Sequence, residues 1–363
     1  MLAAMMQLLA FHPASGQSRG TLVPSIDLTT LYDDNVFVTS RAPASDQVVR
    51  ISPALSAERP FVRGGYSGSY SLDADRYARH HELTNPVARV QAFSRLHYNA
   101  GQRLRLILDH GYLDTTAPTE LNLGTALAAA RIRTIRMSGG STAAYRLSTR
   151  ASATASYQIT RDRLDDGRTM RTSVARAAID RTLSRRERLA FDYESSRFDS
   201  RSQTTTAHAV RLGWTRAIGT STQLQLRGGP RVTDGAANAD LFALVNHTLE
   251  HGAVSVSFEQ AQTTVIGMEA PVEARSLHVR GNWKPFRSLS CTAAPAVFRS
   301  TFGGHDIDVF RIGLEARYAV SKTLAFEASF GAETQRGAVS TASIDVDTLR
   351  HRTLSFGLTQ QWK

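Results

Sequence analysis

Arg352-Thr-Leu-Ser-Phe-Gly-Leu-Thr-Gln-Gln-Trp362 closes the chain, with a single Lys363 behind it. Taken with a period of two, Leu354, Phe356, Leu358 and Trp362 fall on one face and Ser355, Gly357, Thr359 and Gln361 on the other. One face is apolar; the other is small and polar. In a soluble sandwich the apolar face would point into a core, whereas in a transmembrane barrel it points out at lipid and the polar face lines the interior. A barrel needs many copies of such a strand and little else, so the rest of the chain decides between the two.

The 363 residues are 42% hydrophobic, 21% charged and only 8% aromatic. No run approaches the roughly 20 apolar residues of a membrane-spanning helix, which excludes helical membrane proteins. Strands that alternate lipid-facing with lumen-facing residues average out, in keeping with a mean hydropathy of -0.25. The formal net charge is +11, and among the 43 basic residues only Lys284, Lys322 and Lys363 are lysines. A nucleic-acid-binding chain would gather its arginines in a patch or tail; here they recur along the whole length, so no nucleic-acid partner is expected. The lone Cys291 cannot form an intramolecular disulfide. Residues 1–16, apolar to Phe11 and then small at Ala14 and Gly16, have the pattern of a secretory signal that lacks its basic start. The barrel is expected over 17–363.

From Thr21 onward the alternation predicts an all-β, antiparallel, up-and-down transmembrane barrel of about 18 strands, with 16 as the alternative count. The segments are 22–37, 47–58, 64–75, 86–99, 102–114, 131–147, 150–161, 169–183, 187–197, 204–217, 221–232, 239–249, 252–263, 274–284, 287–299, 307–319, 322–334 and 347–362. Every second connection is short, as in Asn99-Ala-Gly-Gln102, Leu183-Ser-Arg-Arg186 and Ile218-Gly-Thr-Ser221. Those between are expected to be longer, at 39–46, 115–130, 197–204 and 336–345. Short periplasmic turns and long extracellular loops are the asymmetry of outer-membrane barrels. Tyr98, Tyr145, Trp214, Trp283 and Tyr318 each precede a short turn, and Trp362 ends the chain at the equivalent place. Such recurrence at one height predicts an inner membrane-interface girdle. Tyr70, Tyr112, Tyr157, Phe258 and Phe330 form a looser outer set, and Pro53, Pro230 and Pro295 predict bulges or local edges.

The interior is expected to carry Arg50, Arg89, Arg95, Arg105, Arg136, Arg146, Arg176, Arg211, Arg227, Arg280, Arg311, Arg317 and Arg352, with Glu315 and Glu327 among the acids. Such a wall would favour anions or sugar hydroxyls, or brace a wet lumen through ion pairs. The loop 115–130 is the most apolar, with Pro118 and Glu120 suited to a short helix start. Folded inward it would narrow the pore and set Glu120 against basic wall residues; capping the mouth is the alternative. No catalytic residue, metal or cofactor is expected. Asp33-Asp34-Asn35 and Asp165-Asp166-Gly167 lack the acidic spacing of a calcium loop. A barrel-embedded lipid or saccharide hydrolase would need a Ser and a His adjacent on the lipid face, and His208 beside Thr204 to Thr206 is the nearest candidate.

The closing strand, ending on an aromatic, resembles that of bacterial outer-membrane barrels, whose last residues are read by the barrel-assembly machinery. Leu31-Tyr-Asp-Asp-Asn-Val-Phe37, Leu212-Gly-Trp-Thr-Arg216 and Arg227-Gly-Gly-Pro-Arg-Val-Thr-Asp234 are similar to segments of the porin-like barrels that accompany exopolysaccharide export and PEP-CTERM systems. That resemblance implies an outer-membrane pore or accessory protein in contact with lipid, polysaccharide or anionic solutes and export proteins. A non-conducting structural or adhesive barrel is the alternative function.

Overall fold

The computed structural model describes residues 20–40, 42–117, 120–128, 131–340 and 345–362; the expected signal segment, Pro118 and Lys363 lie outside them. Eighteen strands follow one another: β1 (Thr21–Asp33), β2 (Asp46–Phe61), β3 (Gly64–Tyr77), β4 (Asn85–Ala100), β5 (Leu104–Thr115), β6 (Thr134–Arg146), β7 (Ala151–Leu164), β8 (Thr169–Thr182), β9 (Glu187–Asp199), β10 (Thr204–Ile218), β11 (Thr222–Thr233), β12 (Ala236–Leu249), β13 (Gly252–Thr263), β14 (Val272–Phe286), β15 (Leu289–Phe302), β16 (His305–Ala319), β17 (Leu324–Ser340) and β18 (Asp345–Gln361). Each pairs antiparallel with the next, and β18 returns to β1 from Ser25 against Gln361 to Asp33 against Thr353. The ring is closed, so no strand leaves its amide and carbonyl groups on an open edge, which a bilayer would not tolerate.

The two faces of the closing strand separate as its pattern demands. Phe356 is 59% exposed while Ser355 meets Ser329 at 2.6 Å inside the ring. The same outward register carries Leu28, Ile51, Leu108, Phe191, Phe310 and Phe326, and Leu212 reaches 68% exposure. A continuous apolar exterior of this kind has no place in water, and it makes this an outer-membrane barrel. Tyr98, Tyr145, Trp214, Trp283, Tyr318 and Trp362 all lie in the outward register near the short turns, and the Arg216 guanidinium sits 6.0 Å over the Trp214 ring.

Three details depart from the sequence-based expectation. Of the bulges or local edges expected at Pro53, Pro230 and Pro295, only the local edge forms: pairing is interrupted on one side of each and resumes in the same register without a bulge. Each proline withholds its missing N–H from one neighbour only, and the other ladder holds the strand in place. The register shifts fall instead at Asp73/Asp75, Trp283/Phe286 and Arg336/Val339. Second, 197–204 and 336–345 are not long loops, because β9 runs on to Asp199 and the β17–β18 hairpin climbs to Ser340 and Asp345. The length asymmetry is concentrated in residues 34–45, 78–84, 116–133 and 264–271. Third, Arg352 faces outward: it shares the register of Leu354 and Phe356, and its inward neighbours are His351 and Thr353.

Candidate functional site in the barrel lumen

At the loop end, many of the inward side chains are apolar. Val48, Leu164, Met170, Phe198, Val272, Phe298, Ile307, Val309 and Leu349 point into the ring and are buried. What buries them is three loops folded into the mouth. Residues 34–45 bring Val36 against Val48 and Tyr77. Residues 116–133 bring Leu121 to the β7–β9 side, and Ala126, Leu127 and Ala128 to Phe298, Ile307, Val309 and Leu349 across the ring. Residues 264–271 meet them with Val265, Ile266 and Met268.

Polar ties fix the three loops to one another. Asn122 is buried; its Oδ1 accepts the Ile266 N–H at 2.8 Å and its Nδ2 donates to the Leu127 carbonyl at 3.0 Å. The Ala128 N–H donates to Gln335 Oε1 of β17 at 3.0 Å, so the loop that leaves β5 nearly spans the lumen. Arg131 donates to the Val36 carbonyl at 2.9 Å and to the Tyr77 hydroxyl at 2.8 Å. Arg168 donates to the Gly267 carbonyl at 3.0 Å. Glu120 accepts from Arg89 at 2.7 Å, against the wall. Residues 120–128 of this loop therefore lie inside the mouth.

Leu31-Tyr-Asp-Asp-Asn-Val-Phe37 forms the corner where the first of these loops leaves the seam between β1 and β18. Asn35 donates to the Thr39 and Arg350 carbonyls at 2.8 and 3.1 Å, and Val38 is held at φ 52°, a backbone region that β-branched residues avoid. Asp33, Asp34 and His351 bring ligand atoms within 4.8 Å of one another. They already serve the corner: Asp33 Oδ1 accepts the Asn35 N–H and meets the His351 ring at 2.9 Å, and Asp34 Oδ1 accepts the Arg352 N–H.

Beneath the apolar layer lies a belt of ion pairs. Arg50 is bidentate to Asp75, Arg136 to Asp162, and Arg311 meets Glu333 at 2.6 Å. Arg211 joins Asp192, Glu194 and Asp240 at 2.8, 2.6 and 3.2 Å, while Arg176 shares Glu194 and Arg231 shares Asp240. Arg211 is 5% exposed and Arg231 3%, so they brace the wall. Toward the short turns the lumen opens. Arg95 pairs with Asp109 at 2.6 Å and Arg317 with Glu327 at 2.8 Å, both arginine side chains about half exposed. Glu315, Arg317, Glu327, Ser329 and Ser355 line a cavity of about 290 Å³. Arg105, Arg146, Arg227 and Arg280 share the inward register and form no salt bridge among the described residues. Arg146 donates to the Gln102 carbonyl at 2.7 Å, and Arg227 lies 5.4 Å over the Phe242 ring.

His208 faces outward, opposite Ser195, and its Nδ1 meets the Tyr193 hydroxyl at 2.9 Å with the rings stacked. Thr205 turns inward and is buried. A phenol, not a carboxylate, orients the imidazole. Sequence reasoning missed Asn122 and the whole of 264–271, although Val265-Ile266-Gly267-Met268 was an apolar run in a loop that ought to be polar.

No family model matches the sequence, and no curated protein matches it. Among solved structures, the chain is similar to OccAB4 of Acinetobacter baumannii, with a TM-score of 0.53 and 9% identity over 96% of this chain and 100% of that one. OpdO of Pseudomonas aeruginosa matches with a TM-score of 0.53 and 12% identity over 94% and 97% of the two chains. OpdQ of the same organism gives 0.53 and 11% over 95% and 99%. These neighbours are outer-membrane porins, and what they share with the chain is the porin-like closed barrel of the bacterial outer membrane.

Proposed function

We propose that this barrel is a gated outer-membrane channel for anionic or hydroxyl-rich solutes, and that it serves the export of a surface polysaccharide. The observation that carries the channel reading is the contrast along the axis. Lumen arginines near the loops are paired, with Arg211 and Arg231 buried, whereas Arg105, Arg146, Arg227 and Arg280 face the lumen nearer the short turns and form no salt bridge among the described residues. Unpaired cations on a water-filled wall raise the local anion concentration. The polysaccharide link rests on the sequence resemblance of Leu31 to Phe37 and the two later motifs. Reversal potential under a salt gradient tests the first part: replacing Arg105, Arg227 and Arg280 together by Gln moves an anion-selective potential toward zero. An unchanged potential removes these arginines from the path. The second part is tested by deleting the gene and measuring surface polysaccharide, which falls if the reading holds. A non-conducting barrel is the second reading, favoured by the three interlocked loops that fill the mouth.

A further inference from the structure

Alternation in β7 sends Asp162 into the lumen, where Arg136 holds it, and turns both its neighbours, Arg161 and Arg163, outward. Arg171 of β8 is the register partner of Arg161, and both side chains are exposed on the outer face. Like charges directly opposite on a sheet repel. No salt bridge or hydrogen bond of Arg161, Arg163 or Arg171 is formed among the described residues. Of the nearby acids, Asp114 is bidentate to Arg133; Asp199, the register partner of Arg171, is held by Arg197 and gives Arg171 only a longer-range attraction; and Asp165, two residues beyond Arg163, acts on Arg133 at longer range. Thr169, partner of Arg163, adds an exposed hydroxyl. The rim on the far side is built differently, for there Arg299, opposite Arg275, is bidentate to Asp308.

Height matters as much as charge. Tyr145 of the inner girdle is level with Ala153, and Arg161 stands eight residues further up β7. At about 3.3 Å per residue and a tilt near 40°, that is roughly 20 Å, close to the outer edge of an apolar band about 25 Å tall. The arginines therefore stand where the headgroups of the outer leaflet begin.

We propose that Arg161, Arg163 and Arg171, with Thr169, bind the phosphate groups of a phosphorylated glycolipid of the outer leaflet. A dianionic phosphate between Arg161 and Arg171 turns a repulsive pair into two charge-assisted, bidentate contacts. Lipid, rather than free phosphate, is the occupant because the cluster stands directly above outward Ile159 and Tyr157, so a headgroup seated there lays its chains on that apolar wall.

The test is native mass spectrometry of the refolded barrel with bisphosphorylated lipid A, its monophosphorylated form and inorganic phosphate. Wild type retains the bisphosphorylated lipid, holds the monophosphorylated form less tightly, and is not displaced by millimolar phosphate. Arg161→Ser, Arg163→Ser and Arg171→Ser combined weaken retention about a hundredfold, from roughly fivefold per arginine near a charged surface. Arg299→Ser leaves retention unchanged. Equal retention by the triple variant, equal retention of the monophosphorylated lipid, or displacement by phosphate overturns the proposal. Wild type alone gives an independent readout: retention falls steeply as salt rises, and salt-independent retention overturns it as well.

Discussion

Asn122, buried in the closed mouth, bonds its own loop and the facing one at once. Asn122→Ala strands the buried Ile266 N–H and Leu127 carbonyl, at about 1–3 kcal/mol for each. Hydrogen exchange at Val265 to Met268 then accelerates strongly; unchanged exchange means that the loops are held by apolar packing alone. Asp46 ties the start of β2 to the loop at 78–84. Burial by itself would raise its carboxyl, but the N–H groups of His80, Arg79 and Gln47 and the His80 ring outweigh that and lower it to about 2. A carboxyl lowered on folding stabilises at all pH above its unfolded value, near 3.9, and the contribution is lost as pH falls through about 2. Acid-induced release of the 78–84 loop, followed by amide NMR, is expected in that window and is absent in Asp46→Asn, whose loop is loose at every pH. On the exterior, Leu108→Arg separates lipid from water. At the middle of an apolar belt it costs about 2–4 kcal/mol of folding stability in bilayers, whereas a water-exposed Leu would accept the change within about 0.5 kcal/mol.

Strands were legible because their pattern has one cause, the opposition of lipid outside and water inside, repeated at every turn of the ring. Leu104, Leu106 and Leu108 against Arg103, Arg105 and Asp109 needed no knowledge of neighbours. Where the cause stops, so does legibility: β17 runs six residues past its expected end, above the membrane, and nothing in its alternation marks that. Prolines were half legible for a related reason: each interrupts the ladder on one side, but a strand held from both sides survives the loss of one donor without a bulge. Glycine is the stricter residue here. A Cβ on Gly229 of β11 would stand 1.9 Å from the Val210 carbonyl oxygen, a contact that neither backbone can relieve without parting β10 from β11. Gly229→Ala is expected to reduce sharply the yield of folded, heat-modifiable barrel on gels, and normal yield would mean that the two strands sit further apart.

For the whole molecule, three layers stack along the axis: an apolar plug at the loops, a belt of ion pairs below it, and an open arginine-bearing end toward the short turns. Parity alone placed most inward arginines, and Arg352, expected inside, has the parity of Leu354 and Phe356, which assigns it to the outside. Which arginines would be neutralised was not legible, because their partners lie on other strands; Arg211 of β10, for example, reaches Asp192 of β9 on one side and Asp240 of β12, two strands away, on the other. Nor was the plug, since its pieces come from three loops far apart in sequence that meet only once the ring has closed. Single-channel conductance in a planar bilayer, wild type against a chain with 120–128 replaced by a short glycine-serine link, tests the layered account most directly. Wild type is expected to be closed or to open briefly, and the shortened chain to open steadily with a several-fold larger current. Equal, steady conductance from both would mean that the three loops do not close the mouth.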